Sequence, residues 1–247
     1  MKFSKNTPVK IVMIGGGTGG NLAPYLYRMA AYADREIDIV IIDGDIVQKK
    51  NLQRQNFVEG DVGENKARIL AQRYSSAFRK EAKFVEGYIT KKSQLQTYLK
   101  PESANQMVIL VGVLDNNKTR KLCHDYFMQT KDLIYIDAGN GTCTGQVVCG
   151  IKKNHKVVWE PAGTIYPDLL EGEKYPDQLS CSERSISEPQ TIAANVFAAA
   201  IVFSILQNIL IEGETVVEMS SFSSRLCNMK PTIEKEGEQE NEKSTNV

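Results

Sequence analysis

A doubly wound α/β fold with a mainly parallel sheet is what this sequence predicts, and three observations carry the expectation. Short, nearly continuous apolar runs recur at residues 9–14, 37–42, 107–113 and 133–138, broken only by single polar residues such as Lys10, Asp38 and Asp137, as suits strands buried on both faces. Stretches with apolar residues at helical spacing lie between them. The first run ends in Gly15-Gly16-Gly17-Thr18-Gly19-Gly20, a turn that opens onto a helix.

Taken in order, residues 9–14 are the first strand, and residues 21–33 set Leu22, Tyr25, Leu26, Met29 and Ala30 at helical spacing. Residues 37–42 are the second strand, ending at Asp43. Strand, glycine turn, helix and strand form one βαβ unit with a crossover of ordinary length. Ala67, Leu70, Ala71 and Tyr74 mark a helix over 66–78, followed by a strand at 83–88 and a short helix at 93–99. The next buried strand, 107–113, is closed by Asp115-Asn116. A helix at 119–128 and a strand at 133–138 complete the alternation. Residues 145–150 and 156–160 carry polar breaks and point to an antiparallel extension of the sheet.

From Pro161 to Glu188 the periodicity fails. Pro161, Gly163, Pro167, Gly172 and Pro176 lie among polar residues, which predicts an irregular, mobile crossover loop of functional weight. An apolar helix over 192–211 and a strand near 215–219 follow. From Lys230 onward almost nothing is apolar, and disorder is expected. The expected organisation is one domain over residues 1–228, with the irregular segment at 161–188, and a disordered tail at 229–247.

The 247 residues suit one large domain, and 42% hydrophobic with 24% charged residues suits a substantial core and a charged surface. Thirty basic residues balance thirty acidic ones. This zero net charge argues against a general nucleic-acid binder, which needs a basic excess. The five cysteines are odd in number and form no CxxC pair, so neither a disulfide scaffold nor a structural zinc site is expected. Cys123, Cys143 and Cys149 fall on or beside core elements and read as structural. His124 and His155 lack companions at metal-ligand spacing. Asn195, Ser204, Gln207 and Asn208 interrupt the apolar run at 192–211, which reads as a buried or interface helix and not a membrane span. No apolar run precedes the first strand, so no signal peptide is expected and the chain reads as cytoplasmic.

The glycine cluster follows a strand and opens a helix, the context in which Gly15, Gly17 and Gly20 would let backbone approach phosphates at a helix N-terminus. Asp43 stands where a carboxylate reaches a ribose hydroxyl. These features alone leave NAD, FAD and ATP open. Asn51, Arg54, Gln55 and Lys66 shift the balance, because a guanidinium fork and a mobile ammonium suit polyphosphate oxygens and a dehydrogenase needs no such cluster after its second strand.

Asp43-x-Asp45-x-Val47, Asn51-Leu52-x-Arg54-Gln55 and Gly63-x-x-Lys66, with Asp115-Asn116-x-x-Thr119-Arg120 further on, resemble the E1/ThiF/MoeB superfamily of ATP-dependent adenylating enzymes. The resemblance covers most of the chain, from about Val9 to Leu210, and implies a Rossmann-like domain. It further implies that Gly15, Gly17 and Gly20 line the nucleotide loop, Asp43 holds the ribose, Asp45 belongs to the same nucleotide-binding set, and Asn51, Arg54, Gln55 and Lys66 contact the triphosphate. Asp115 would bind Mg²⁺, and Asn116 beside it would cap the next helix. The implied reaction is attack of a carboxylate on the α-phosphorus of ATP, giving an acyl-adenylate and pyrophosphate. Positioning and charge neutralisation carry such a step.

Cys181, in Leu179-Ser180-Cys181-Ser182-Glu183-Arg184, stands where E1 enzymes for ubiquitin-like proteins place a nucleophilic cysteine, although their Pro-x-Cys-Thr context is Leu-Ser-Cys-Ser here. Arg184 nearby favours a thiolate. The family's usual zinc CxxC pairs are absent, Thr18 replaces a loop glycine, and Lys2, Lys5 and Lys10 stand where an N-terminal arginine would complete a partner subunit's site. No ubiquitin-fold domain is expected, so an E2-like conjugating enzyme would dock on another surface.

The first expectation is therefore an E1-like enzyme. It would adenylate the C-terminus of a ubiquitin-like protein and accept it as a thioester on Cys181, working as a homodimer through the apolar helix. The second keeps adenylation of a sulfur-carrier protein, peptide or tRNA base and omits the thioester, tRNA being disfavoured by the neutral charge. The third is a non-catalytic E1-like binding subunit, and the fourth an NAD oxidoreductase.

Overall fold

Residues 1–171 and 190–233 are described by the structure, a computed structural model. Its centre is a nine-stranded mixed sheet. In chain order the main elements are β1 (Val9–Ile14), α1 (Gly19–Tyr32), β2 (Ile37–Ile42), α2 (Lys66–Phe78), β3 (Lys83–Val85), α3 (Lys92–Tyr98), β4 (Met107–Gly112) and α4 (Asn117–Gln129). Then come β5 (Leu133–Asn140), β6 (Thr144–Lys153), β7 (Lys156–Trp159), α5 (Ala162–Ile165), α6 (Ile192–Gln207), β8 (Val217–Ser223) and β9 (Asn228–Ile233).

The strand order is β3-β2-β1-β4-β5-β6-β8-β9, with β7 paired to β6 alone. The first five strands in that order are mutually parallel and the others antiparallel. The order reverses between β1 and β4, which opens a crevice at their carboxyl ends, where ligands bind in open α/β sheets.

The apolar strands divide their side chains by the period of two. Val9, Ile11 and Met13 of β1 join Leu22 and Leu26 of α1, Leu70 of α2 and Ile201 and Ile205 of α6 on one face. Val12 and Ile14 join Leu95 of α3 and Cys123 and Phe127 of α4 on the other. Helices cover both faces of the parallel half, so its strands read as nearly continuous apolar runs.

Pro24 stands inside α1, where it cannot donate to the carbonyl of Gly20. Asn56 repairs the gap: its Nδ2 donates to Gly20 O at 3.0 Å, and also to Tyr74 Oη at 3.0 Å. The loop after β2 is thereby tied to the helix behind the glycine turn.

α6, continued by a π-turn to Glu212, is the one helix among the described residues long and apolar enough to cross a membrane by length and composition. It packs against α1, β5, β6 and β8. Burial of Ile201 and Ile205, at about 1.5–3 kcal/mol for each such side chain, anchors it to the sheet.

Three elements depart from the sequence expectations. The segment expected to be irregular from Pro161 begins with the short helix α5 and a 3-10 turn over Pro167–Leu170. β9 runs through Lys230 to Ile233, where composition pointed to disorder; it pairs with β8, and all six of its residues are exposed, so no burial pattern announces it. The strand expected at 83–88 closes at Val85, and the chain turns away through Gly87.

Candidate functional site

The crevice at the switch point is lined by Gly15, Gly17 and Thr18 from the β1–α1 turn, and by Asp43 and Asp45 from the end of β2. Gln55, Lys66 and Asp115 border it as well.

Two glycines shape its floor. Gly15 has φ +108°, and a Cβ there would lie 2.3 Å from Val113 O. Only glycine combines that backbone with that approach. A Cβ on Gly17 would lie 3.0 Å from Gln55 Nε2, so the loop and the Gln55 carboxamide are nearly in contact. Thr18 precedes α1 without capping it by its side chain, and its hydroxyl donates instead to Asn195 Oδ1 at 3.1 Å. Gly20 N already donates to Gly16 O at 3.1 Å and Asn21 N to Thr18 O at 3.0 Å, so it is the positive end of the α1 dipole, beside Gly17 and Thr18 of the lining, that favours an anion there.

Asp43 is a turn organiser in this structure. Its Oδ1 accepts from Asp45 N at 2.7 Å, and its Oδ2 accepts from Gly16 N. Burial pushes its carboxyl up to about 6; the Lys66 ammonium pulls the other way, the Asp45 carboxylate adds to the rise, and the two backbone N–H bonds oppose it.

Lys66 opens α2, and its place is set by a residue that sequence reasoning missed. Asn65 caps α2 by accepting from Arg68 N at 3.0 Å. The same side chain donates to Asp43 O at 2.9 Å and Asp45 O at 3.2 Å, so one carboxamide binds the tip of β2 to the start of α2. Lys66 Nζ then meets Asp45 Oδ2 at 2.9 Å, while Tyr88 Oη donates to Asp45 Oδ1. The Asn in Glu64-Asn65-Lys66, just ahead of a helical pattern, was the available signal.

Asp115 lies beyond β4 at the rim and is exposed. Asn116 accepts from Thr119 N at 2.9 Å and so caps α4 while also lining the cleft. Behind the loop, Arg120 is buried; its Nη2 donates to Leu114 O at 2.8 Å and its Nη1 to Asn117 Oδ1 at 2.8 Å. Its Nε meets both oxygens of Asp137 at 3.0 Å. Arg120 therefore holds the loop that presents Asp115.

Three sequence-selected residues stand outside the lining. Gly20 is buried in the first turn of α1, facing Asn56 and Leu70. Asn51 is buried, and its Oδ1 accepts from Gln48 N at 2.8 Å, closing its own turn. Arg54 turns toward Gln190, with Nη1 3.5 Å from Oε1. Cys181 lies outside the described residues. Cys123 and Cys149 are buried and Cys143 half-buried; burial pushes the Cys149 thiol up to about 12 and the Cys123 thiol higher. Cys227 is exposed. No group of three or more His, Cys, Asp or Glu placed for a metal occurs among the described residues.

The donor set fits a nucleotide polyphosphate. The donors that border the cleft are the Lys66 ammonium and the Gln55 carboxamide, whose Nε2 lies so near the glycine loop that a Cβ on Gly17 would stand 3.0 Å from it. One exposed carboxylate, Asp115, also fits Mg²⁺, which is held by one or two carboxylates together with substrate phosphates.

Comparison with known proteins agrees with this architecture. No curated protein sequence matches the chain. Among solved structures, that of E. coli MccB with AMPCPP and MccA superimposes with TM-score 0.66 at 18% identity, covering 93% of this chain and 64% of the other. MccB with ATP gives TM-score 0.65, 18% identity and the same coverage. PaaA gives TM-score 0.61 at 16% identity, covering 91% of this chain and 64% of its own. The chain thus spans just under two thirds of the length of these structures, and at this identity the likeness concerns the fold. The family model described as "ThiF family" matches residues 4–243, nearly the whole sequence. The chain belongs to the ThiF family.

Proposed function

We propose that this chain binds ATP and adenylates the C-terminal carboxylate of a small acceptor protein of ubiquitin-like or sulfur-carrier type. One observation carries the reading: Gly15, Gly17, Gln55, Lys66 and Asp115, distant in sequence, border a single cleft at the switch point. The acceptor carboxylate is ionised at neutral pH. One of its oxygens attacks the α-phosphorus, a P–O bond forms, and the bond to pyrophosphate breaks. Lys66 and the N-terminus of α1 neutralise phosphate charge, and Gln55 supplies a polar contact beside the glycine loop. Arg54 reaches the phosphates once it leaves Gln190. Asp115 would hold Mg²⁺, which neutralises further phosphate charge when bound.

The same proposal assigns Cys181 the second step. Its thiolate attacks the acyl carbon, a C–S bond forms, and AMP leaves. Both flanks of the segment that carries it are anchored beside the cleft. Asn117 Nδ2 donates to Glu171 O at 3.0 Å, and Gln190 lines the cleft itself. Cys181 is nine residues from Gln190, an extended reach of up to about 30 Å. An E2-like enzyme would receive the thioester. A cytoplasmic homodimer is part of the proposal, with exposed Ile192 and Val196 of α6 and Tyr25 of α1 supplying an apolar face.

A second reading keeps adenylation and omits the thioester, with a sulfur-carrier protein or a peptide as acceptor; MccB, which shares the fold, is solved with AMPCPP and MccA. The test separates the two. With a Gly-tailed acceptor candidate, ATP–pyrophosphate exchange reports adenylation, and a thiol-sensitive adduct on a non-reducing gel reports the thioester. Exchange that persists in Cys181→Ala with no adduct in either protein selects the second reading. No exchange with any acceptor rejects both.

A further inference from the structure

Asn195 interrupts an otherwise apolar helix, and its side chain is fully buried. A buried carboxamide is costly unless its hydrogen bonds are made, and this one makes three. Thr18 Oγ1 donates to its Oδ1 at 3.1 Å, and Asn140 Nδ2 donates to the same oxygen at 2.8 Å. Asn195 Nδ2 donates to the backbone oxygen of Arg54 at 2.9 Å. The partners come from three separate connections: the glycine turn after β1, the loop that carries Arg54 and Gln55, and the end of β5. Thr18, Gln55 and Asn140 all line the cleft.

The approach to α6 repeats the arrangement. Gln190 Nε2 donates to Asn140 O at 3.1 Å, and Gln190 Oε1 faces Arg54 Nη1. Thr191 caps α6 through Ala194 N at 3.2 Å and donates to Thr142 O at 2.7 Å. An apolar residue at 195 would satisfy the helix but leave the Thr18 hydroxyl, the Asn140 amide and the Arg54 carbonyl without this partner.

We infer that Asn195 is a positioning residue of the nucleotide site: it holds the glycine loop and the Arg54–Gln55 loop in one fixed relation, acting through Thr18 on the first and through the Arg54 carbonyl on the second. The inference rests on the ATP reading above and adds to it the residue that sets the two walls of the site.

The test titrates ATP with Mg²⁺ into the full chain by calorimetry well below the melting temperature, with melting curves recorded alongside. Thr18→Val keeps the side-chain shape and removes the hydroxyl. It should weaken ATP binding about tenfold, the size of one lost hydrogen bond in a preorganised site, and Thr18→Ser should restore most of the loss. Asn195→Ala should weaken binding at least as much, and its further effect in the Thr18→Val background should be smaller than in wild type, because the two side chains share one of the three bonds that Asn195 makes. Thr18→Val binding ATP like wild type would overturn the inference even if Asn195→Ala fails to fold. Full additivity of the two substitutions would overturn it as well. If wild type itself binds no ATP, the underlying reading fails, and this one with it.

Discussion

Arg120 Nε stands 3.0 Å from both carboxylate oxygens of Asp137, with the two side chains 5% and 2% exposed. Tyr135 Oη donates to the same carboxylate at 2.5 Å, and the other guanidinium nitrogens hold Leu114 O and Asn117. The pair is thus a buried anchor for the Asp115 loop. Removing one member of such a pair leaves an uncompensated charge, at a cost of about 3–5 kcal/mol. Asp137→Ala should lose that much stability in urea unfolding; a loss below about 1 kcal/mol would mean the pair is not the anchor.

Gly15 and Gly20 should respond oppositely to alanine. At Gly15 a Cβ meets Val113 O at 2.3 Å on a positive-φ backbone, so Gly15→Ala should displace the loop and abolish ATP binding. At Gly20, inside α1, the nearest atom lies at 3.6 Å, an ordinary contact. Gly20→Ala should keep ATP binding and raise helix stability by up to about 1 kcal/mol. Melting curves with and without ATP compare them.

The helix α1 offers a double-mutant test. Asn56→Ala leaves Gly20 O without the amide that replaces Pro24's missing donor. It should cost about 1 kcal/mol. In a Pro24→Ala background the restored backbone N–H serves that carbonyl, so the cost of Asn56→Ala should shrink. Equal costs in both backgrounds would refute the compensation.

Asp43 should contribute a distinct pH dependence to stability. Its carboxyl is raised to about 6, chiefly by burial, so the folded protein binds this proton more tightly than the unfolded chain. Its stabilising contribution is complete below the ordinary aspartate value of about 3.9 and is lost as pH rises through about 6. The stability of wild type relative to Asp43→Asn should therefore fall between pH 5 and pH 7, as measured by paired urea titrations. A difference that rises over this window would contradict the assignment.

The sequence made the site's wall residues legible because the chemistry is local there: glycines between a strand and a helix, and a lysine at a helix start. What it hid is the set of distant ties. Asn195 looked like a polar interruption of an apolar run, and its partners Thr18 and Asn140 lie far away in sequence. Arg120 belonged to a recognisable signature, but its pairing with Asp137 depends on α4 packing against β5. Asn51 and Arg54 were selected as phosphate contacts, whereas the folded loop turns one into its own cap and the other toward Gln190. In the fold, the parallel half was readable from its apolar runs. β9 was not, because an exposed edge strand built from Asn228-Met229-Lys230-Pro231-Thr232-Ile233 carries no burial pattern.

The central claim is that the switch-point cleft takes ATP, and melting the full chain with each nucleotide tests it most directly. At one hundred times its dissociation constant a ligand adds about 2.7 kcal/mol, or about 5–10 °C for a domain of this size. ATP with Mg²⁺ should give a shift of that order, NAD should give none, and Gly15→Ala should remove the ATP response. Protection by NAD but not by ATP would contradict the account.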